Sequence, residues 1–135
     1  MLRILCASTL AACAIGLAGC STCPSSQTAP APRPALISHI VLISLHDTGD
    51  IPSLIADSDR LLPFIPGVVA YAAGQHIDTG RPSVLTDYHV GLYIGFASVQ
   101  DYAVYVDHPN HVELVETWRP RIASLRVWDV LDETP

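Results

Sequence analysis

The chain has 135 residues, half of them hydrophobic, and a formal net charge of −6 at pH 7. This length leaves room for one domain once the first third is set aside, and the acidic balance argues against a nucleic-acid partner and against electrostatic docking on anionic lipid. The four cysteines, Cys6, Cys13, Cys20 and Cys23, all precede the predicted domain, so no disulfide can cross-link it.

Residues 1–19 have the three-part pattern of a signal peptide. Arg3 supplies the positive end, residues 4–17 form the apolar region, and a small-residue cleavage site follows. The apolar run is short for a permanent membrane span. Leu-Ala-Gly-Cys at 17–20 resembles the bacterial lipobox. The resemblance implies a lipoprotein in which Cys20 becomes the first residue and carries a diacylglyceryl thioether, usually with a third, palmitate-type chain on its amine. The alternative is an ordinary secretory signal that leaves Cys20 as a thiol.

Residues 20–35 are predicted to form a tether between the lipid bilayer and the domain. Four prolines among Ser, Thr and Ala cannot build a core and favour extended polyproline conformations. At about 3.1 Å per residue, the tether could hold the domain up to roughly 45 Å from the lipid. Ser21 in place of an aspartate favours the outer membrane of a bacterial cell envelope, with the domain facing the periplasm. Cys23 is either incidental or able to pair with a second chain in that oxidising compartment.

The domain is predicted over residues 36–135 and begins with a strand at 36–45. Both faces of this strand are apolar, which indicates burial on both sides. Asp50 is expected to cap a helix that ends before Pro63. Two further strands, separated by a polar loop, are predicted over residues 68–77 and 88–97.

Two short helices in succession are predicted after the third strand. Ser98, followed three residues later by Asp101, resembles a capping box with Asp in place of Glu, so a helix should begin at Val99. Pro109 disfavours helical geometry at the preceding residue and suits the first turn of a new helix. The first helix should therefore end near Asp107 and the second should begin at Pro109.

The last strand is predicted over residues 125–131. It completes the order strand, helix, strand, strand, helix, strand, which is typical of an α+β ferredoxin-like fold with a four-stranded antiparallel sheet. Two helices can cover only one face of such a sheet, yet the first strand is apolar on both faces. The uncovered face must therefore find a partner.

Several stretches together resemble the stress-responsive A/B barrel domain, often called Dabb. The most specific stretch is a strand ending in Phe96 followed by Ser-Val-x-x-Tyr-x-x-Tyr-x-x-His-Pro-x-His-Val at 98–112. Further matches are His-Ile-Val-Leu at 39–42, Ile-Pro-Gly-Val at 65–68 and Val-Trp-Asp at 127–129. The resemblance covers about residues 37–132 and implies a dimeric α/β barrel in which two copies pack sheet to sheet. A homodimer is thus the expected assembly.

The resemblance also implies candidate catalytic residues. Characterised members of the family use a His of the His-Pro-x-His stretch and a Tyr of the preceding helix in an aldol cyclisation. The matching residues are His111 and Tyr105, and His39 of the first strand joins them as a ligand-binding candidate. An imidazole can take a proton near neutral pH, and a phenol can hold an enolate oxygen by a hydrogen bond. Alternatively, His111 bonds backbone carbonyls at the helix junction, while Tyr105 and His39 are core residues.

Structural rather than catalytic roles are expected for the remaining polar candidates. His108 is expected at the helix boundary, and Asp129 on the last strand as a buried acceptor for a neighbouring N–H group. No metal site is predicted, because His108 and His111 lack a clear third ligand. No phosphate loop, dinucleotide fingerprint or nucleophile elbow occurs, so no cofactor is expected. The histidines at strand ends are expected to be solvated: His46, His76 and His89.

Three functions follow from these observations. The first is a membrane-anchored protein of undetermined activity that binds a small apolar molecule in a cleft of the barrel. The second is a cofactor-free, polyketide-cyclase-like enzyme that uses His111 and Tyr105. The third is a structural or stress-related envelope protein with a filled cleft. A cavity lined by His39, Tyr105 and His111 favours the first two functions over the third.

Overall fold

Four strands and three helices follow one another in residues 31–134, the part of the chain that the computed structural model describes. In chain order they are β1 (Ile37–Leu45), α1 (Ile51–Leu61), β2 (Val68–Gln75), β3 (Val90–Phe96), α2 (Val99–Asp107), α3 (Pro109–Trp118) and β4 (Ile122–Leu131). Two short 3-10 turns, Thr48–Asp50 and Arg119–Arg121, precede α1 and β4.

The strands form one antiparallel sheet in the order β2-β3-β1-β4. Because α2 and α3 together make the second helical connection, the chain follows the β-α-β-β-α-β order of a ferredoxin-like fold. The predicted α+β class and the four-stranded antiparallel sheet are therefore confirmed. The strand that is apolar on both faces, β1, lies in the centre of the sheet between β3 and β4.

The core lies between one face of the sheet and the helices. Side chains alternate along a strand, so every second residue of β1 from Ile37 to Leu45 is buried beneath the helices. Val90, Ile94 and Phe96 of β3 extend this layer and are fully buried. The helices complete the core with Leu54 and Leu61 of α1, Tyr105 of α2, and Leu114 and Trp118 of α3.

The junction between α2 and α3 is built as its local chemistry predicts. Ser98 is extended and caps α2, accepting the Asp101 backbone N–H at 3.1 Å while its hydroxyl donates to the Asp101 carboxylate at 2.7 Å. His108 is also extended, as expected of a residue before proline. Its Nδ1 accepts the Asn110 backbone N–H at 3.2 Å, so His108 caps α3. The predicted start of α2, the break near Asp107 and the start of α3 at Pro109 are confirmed.

Three local expectations were wrong. Asp50 precedes α1, but its side chain makes no cap hydrogen bond and instead accepts from Arg121 at 3.2 Å. The last strand begins at Ile122 rather than at 125, because the Arg121 carbonyl already accepts the His46 N–H and the ladder with β1 continues from there. His89 is not simply solvated, since its Nδ1 accepts the Leu45 backbone N–H at 3.0 Å.

The second face of the sheet, which we call the open face, is not covered by any helix of the described part. Ile40 and Leu42 of β1 lie there beside Trp128 and Val130 of β4, which are 43% and 50% exposed. Two parts of the same chain occupy the ends of this face. Ala35 packs over Gly95 at one end, and Arg126 of β4 makes a two-pronged ion pair with Asp87 of the β2–β3 loop at the other. The apolar middle of the open face remains exposed.

The predictions for the N-terminal third concern residues outside the described part. These are the signal peptide at 1–19, the acylated Cys20 and most of the tether at 20–35. Within residues 31–134, none of the helices has the length and apolar character needed to cross a membrane.

Candidate functional site

A cavity of about 710 Å³ lies between the sheet and the helices. It opens along β4, because the helices cover β1 and β3 but leave β4 at the edge of the core. Leu125 and Val127 of β4 line the cavity and are 55% and 45% exposed. Most of the other apolar lining residues come from β1, β3 and the three helices, among them Val41, Ile43, Leu92, Leu54, Val106 and Leu114.

The polar side chains of the cavity are concentrated at the end where β1 begins. His39 of β1 is directly opposite Asp129 of β4 in the antiparallel register. His39 Nδ1 and Asp129 Oδ1 are 2.6 Å apart, the separation of a charge-assisted hydrogen bond. The Tyr102 hydroxyl of α2 donates to the other carboxylate oxygen, Oδ2, at 3.2 Å and lies 3.4 Å from His39 Nδ1. Three side chains from three elements therefore form one hydrogen-bonded group.

An ionised carboxylate can only accept hydrogen bonds, so the contact with Asp129 places a hydrogen on His39 Nδ1. In the neutral ring, Nε2 then carries the free lone pair. Burial, and after it the charge of Asp129, raise the pKa of Tyr102, so this phenol stays protonated and acts as a donor. His39 lines the cavity, and the hydrogen bond from its Nδ1 to Asp129 holds the ring in place.

Tyr105 and His111 lie beside this group, with their ring centroids 4.5 Å apart. Tyr105 is buried against Phe96, and burial raises its pKa, with a further contribution from Tyr102. His111 Nδ1 donates to the Val106 carbonyl at 2.9 Å. Burial lowers the pKa of His111, although the bond to Val106 opposes this shift. His111 is therefore mainly neutral at pH 7, and its Nε2 is the basic nitrogen.

The structure brings the three residues singled out from the sequence, His39, Tyr105 and His111, into the lining of one cavity. The backbone bond of His111 and the burial of Tyr105 also match the structural alternative, so both readings of these two residues describe the same geometry. The expected role of Asp129 as an acceptor is confirmed, with His39 as the donor. Asp129 is not buried, however, because it lies on the edge strand.

Tyr102 was not recognised as part of the site. Its spacing of three residues from Tyr105 places both on one stripe of α2, and that spacing was the available signal. No sequence feature indicated that Asp129, ninety positions after His39, is its partner. Among residues 31–134, no group of three or more His, Cys, Asp or Glu side chains is arranged to hold a metal ion.

The arrangement can support proton transfer without a cofactor. Two imidazoles offer basic nitrogens, and two protonated phenols offer hydrogen-bond donors to a developing oxyanion. The surrounding apolar walls lower the local dielectric and strengthen such electrostatic contacts. The same geometry also suits simple binding, because a few polar groups at the end of an apolar cavity orient a ligand.

Comparison with known proteins places the fold in a family. The family model of the stress responsive A/B barrel domain (Dabb) matches residues 37–132. No curated protein is significantly similar to the chain.

Solved structures show the same architecture. A Dabb family protein with a ferredoxin-like fold from Mesorhizobium loti is 28% identical, with 73% of this chain and 97% of that chain covered and a TM-score of 0.60. A hydroxynitrile lyase from Passiflora edulis is 20% identical, with 76% and 99% covered and a TM-score of 0.64. A dimeric ferredoxin-like protein of unknown function from Thermobifida fusca is 21% identical, with 71% and 90% covered and a TM-score of 0.61. The chain therefore belongs to the stress-responsive A/B barrel (Dabb) family.

Proposed function

We propose that this protein is a lipid-anchored homodimer that binds a small, largely apolar molecule in the cavity between its sheet and helices. The observation that carries the proposal is the cavity itself. Its volume of about 710 Å³ lies in the range of ligand sites, and its walls are mainly apolar. The polar groups of His39, Tyr102, Tyr105 and His111 meet at one end, where they can orient a ligand. The same volume counts against a structural protein with a filled cleft.

The homodimer is supported by the open face. Trp128 and Val130 are large apolar residues on a sheet face that no described helix covers. Exposed apolar patches of this kind mark association surfaces. The similar proteins from Thermobifida fusca and Bacteroides fragilis are described as dimeric. A second copy would bury the open faces of both chains against each other.

The lipid anchor is supported by the sequence around Cys20. The apolar run ending in Leu-Ala-Gly-Cys and the proline-rich residues that follow fit an acylated N-terminus with a tether to the outer membrane. Mass spectrometry of the mature N-terminus tests this part of the proposal. The expected mass is that of a chain beginning at Cys20 with two or three acyl chains, and the Cys20→Ser variant should lack them. An unmodified N-terminus in the wild type contradicts the anchor.

Binding can be tested with the neutral apolar dye Nile red. We expect saturable fluorescence enhancement with one site per chain. Val106→Trp places an indole in the cavity and should lower the affinity by at least about tenfold, since each 1.4 kcal/mol lost is a factor of ten. Val104→Trp is the matched control, because Val104 lies on the same helix with nearly the same exposure but does not line the cavity. Equal affinity in both variants contradicts a ligand site in the cavity.

A second candidate is a cofactor-free enzyme that abstracts a proton next to a carbonyl group. It is favoured by the two basic imidazole nitrogens and two phenol donors that share the polar end of the cavity. Exchange of the α protons of 2-decanone into D₂O, followed by proton NMR, measures such chemistry without knowledge of the substrate. We expect His111→Gln and Tyr105→Phe each to slow the exchange by at least about tenfold. His46→Gln, at an exposed position outside the cavity, is the control. Exchange no faster than in buffer contradicts catalysis and leaves binding in place.

A further inference from the structure

We propose that the ligand is an elongated amphipathic acid whose anionic group pairs with Arg119 at the mouth of the cavity. Its apolar chain would extend along β4 toward His39. This inference rests on the proposed function, because it specifies the class of molecule that occupies the same cavity. It adds a charged binding residue, Arg119, at the end of the cavity opposite His39 and His111.

Arg119 differs from most arginines of the described part in its surroundings. Arg33, Arg60, Arg121 and Arg126 each have a carboxylate oxygen within 4 Å. In residues 31–134, Arg119 has no such partner, although it lines the cavity. Arg121, in the same turn, differs from Arg119. Its guanidinium donates to Asp50, and its Cζ lies 5.0 Å from the centroid of the Trp118 ring. The guanidinium of Arg119 is left available to an anion.

The register of the sheet places Arg119 and His39 at opposite ends of the cavity. His39 is opposite Asp129, whereas Leu45 is opposite Ile122, and Arg119 is in the turn just before Ile122. The six residue-to-residue steps from His39 to Leu45 span about 20 Å of strand. Between the two ends, the cavity wall is apolar and includes Val41, Ile43, Leu125 and Val127. The site is therefore long, apolar in the middle and polar at both ends.

The two polar ends select different groups. Arg119 is a permanently charged, planar donor that matches a carboxylate in a bidentate manner. The far end holds protonated phenols and, at neutral pH, the largely neutral His111, so it suits a hydroxyl or carbonyl oxygen rather than a second anion. Because the whole chain carries a net charge of −6, the guanidinium at the mouth is a local exception that can orient an approaching acid. An acid with an apolar body satisfies each of these features.

Competition against bound Nile red tests the proposal with two probes of the same chain length, one anionic and one neutral. Decanoate carries the anionic group, and 1-decanol is its neutral counterpart. At low ionic strength, we expect the wild type to bind decanoate about fivefold more tightly than 1-decanol, as is reasonable for a partly exposed ion pair. Arg119→Gln should abolish this preference, because it removes the cation that pairs with the carboxylate. Arg81→Gln should keep the preference, because Arg81 is also exposed and without a carboxylate partner in the described part but does not line the cavity.

Several outcomes overturn the inference. Equal affinity of the wild type for decanoate and 1-decanol overturns it. A preference for decanoate that survives Arg119→Gln also overturns it. Both outcomes leave the apolar binding site intact. Nile red that binds in the cavity but is displaced by neither probe also overturns it. Failure of Nile red itself to bind refutes the proposed ligand site, which separates the two failures. Weaker decanoate binding at high salt, with 1-decanol unaffected, supports the ion pair.

Discussion

Asp129 of β4 holds the imidazole of His39 on β1, with 2.6 Å between Asp129 Oδ1 and His39 Nδ1. The contact crosses the β1–β4 ladder at a directly opposed pair, so its geometry is set by the backbone register. It fixes which nitrogen of His39 carries the hydrogen. Whatever the cavity binds, its inner wall therefore presents the free lone pair of His39 Nε2 whenever this ring is neutral.

The tautomer of His39 should depend on Asp129. At alkaline pH, two-bond proton–nitrogen NMR correlations should show the Nδ1–H tautomer of His39 in the wild type. Asp129→Ala removes the acceptor, so the Nε2–H tautomer should become populated. His111 is the internal control, since its Nδ1 hydrogen is held by the Val106 carbonyl and should not respond. A wild-type His39 that is mainly Nε2–H contradicts this reading.

The pH dependence of stability should contain a contribution from His111. Burial lowers its pKa in the folded state below the usual value of about 6.5. Between these two pKa values the unfolded chain binds more protons, so the folded state loses stability as the pH falls below about 6.5. Urea unfolding at pH 7.5 and 5.5 should therefore show a smaller loss on acidification in His111→Gln than in the wild type. An equal loss in both proteins contradicts the prediction.

Gly95 should be intolerant of a side chain. A Cβ atom there would lie 2.6 Å from the Ala35 Cβ and 3.0 Å from the Ala70 Cβ. Gly95→Ala should lower the free energy of unfolding by about 1–3 kcal/mol, as overpacking does. Gly74→Ala is the matched control on β2, because an added Cβ meets nothing within 4 Å. Urea titrations measure the unfolding midpoints of the two variants. Equal midpoints would show that Ala35 does not pack on Gly95.

The open face should be the association surface. Trp128→Asp puts a charge in its apolar middle and should raise the dimer dissociation constant by at least about tenfold, because central aromatic residues dominate interfaces. Phe64→Asp is the control, since Phe64 is 76% exposed but lies in the loop after α1. Sedimentation velocity at micromolar concentration measures the fraction of dimer in each variant. A wild-type monomer, or a dimer unaffected by Trp128→Asp, contradicts the proposed assembly.

The elements that could be predicted from the sequence are those set by local chemistry. The Ser98 cap predicted the start of α2, and Pro109 predicted the boundary between α2 and α3. Each acts on the backbone within a few residues. The apolar character of both faces of β1 indicated a strand that is buried on both sides, and β1 lies in the centre of the sheet. The resemblance to the family supplied His39, Tyr105 and His111, which do line one cavity.

The interactions that could not be predicted depend on register and on the edge of the sheet. The pairing of His39 with Asp129 follows from the alignment of β1 with β4, which includes a bulge near Ser44. Arg119 lies in the turn just before β4, so its place in the cavity lining follows from a start of β4 at Ile122, three residues earlier than predicted. Tyr102 was visible as a neighbour of Tyr105, but only the packed sheet shows that its hydroxyl reaches Asp129.

The two ends of the open face have a consequence for the choice of partner. Ala35 rises over the sheet at one end, and the ion pair of Arg126 with Asp87 rises at the other. The surface between them is consequently bounded at both ends by residues of the same chain. A second copy that packs on this surface must therefore align its apolar middle with that of the first, because the segments at the two ends set the limits of the contact.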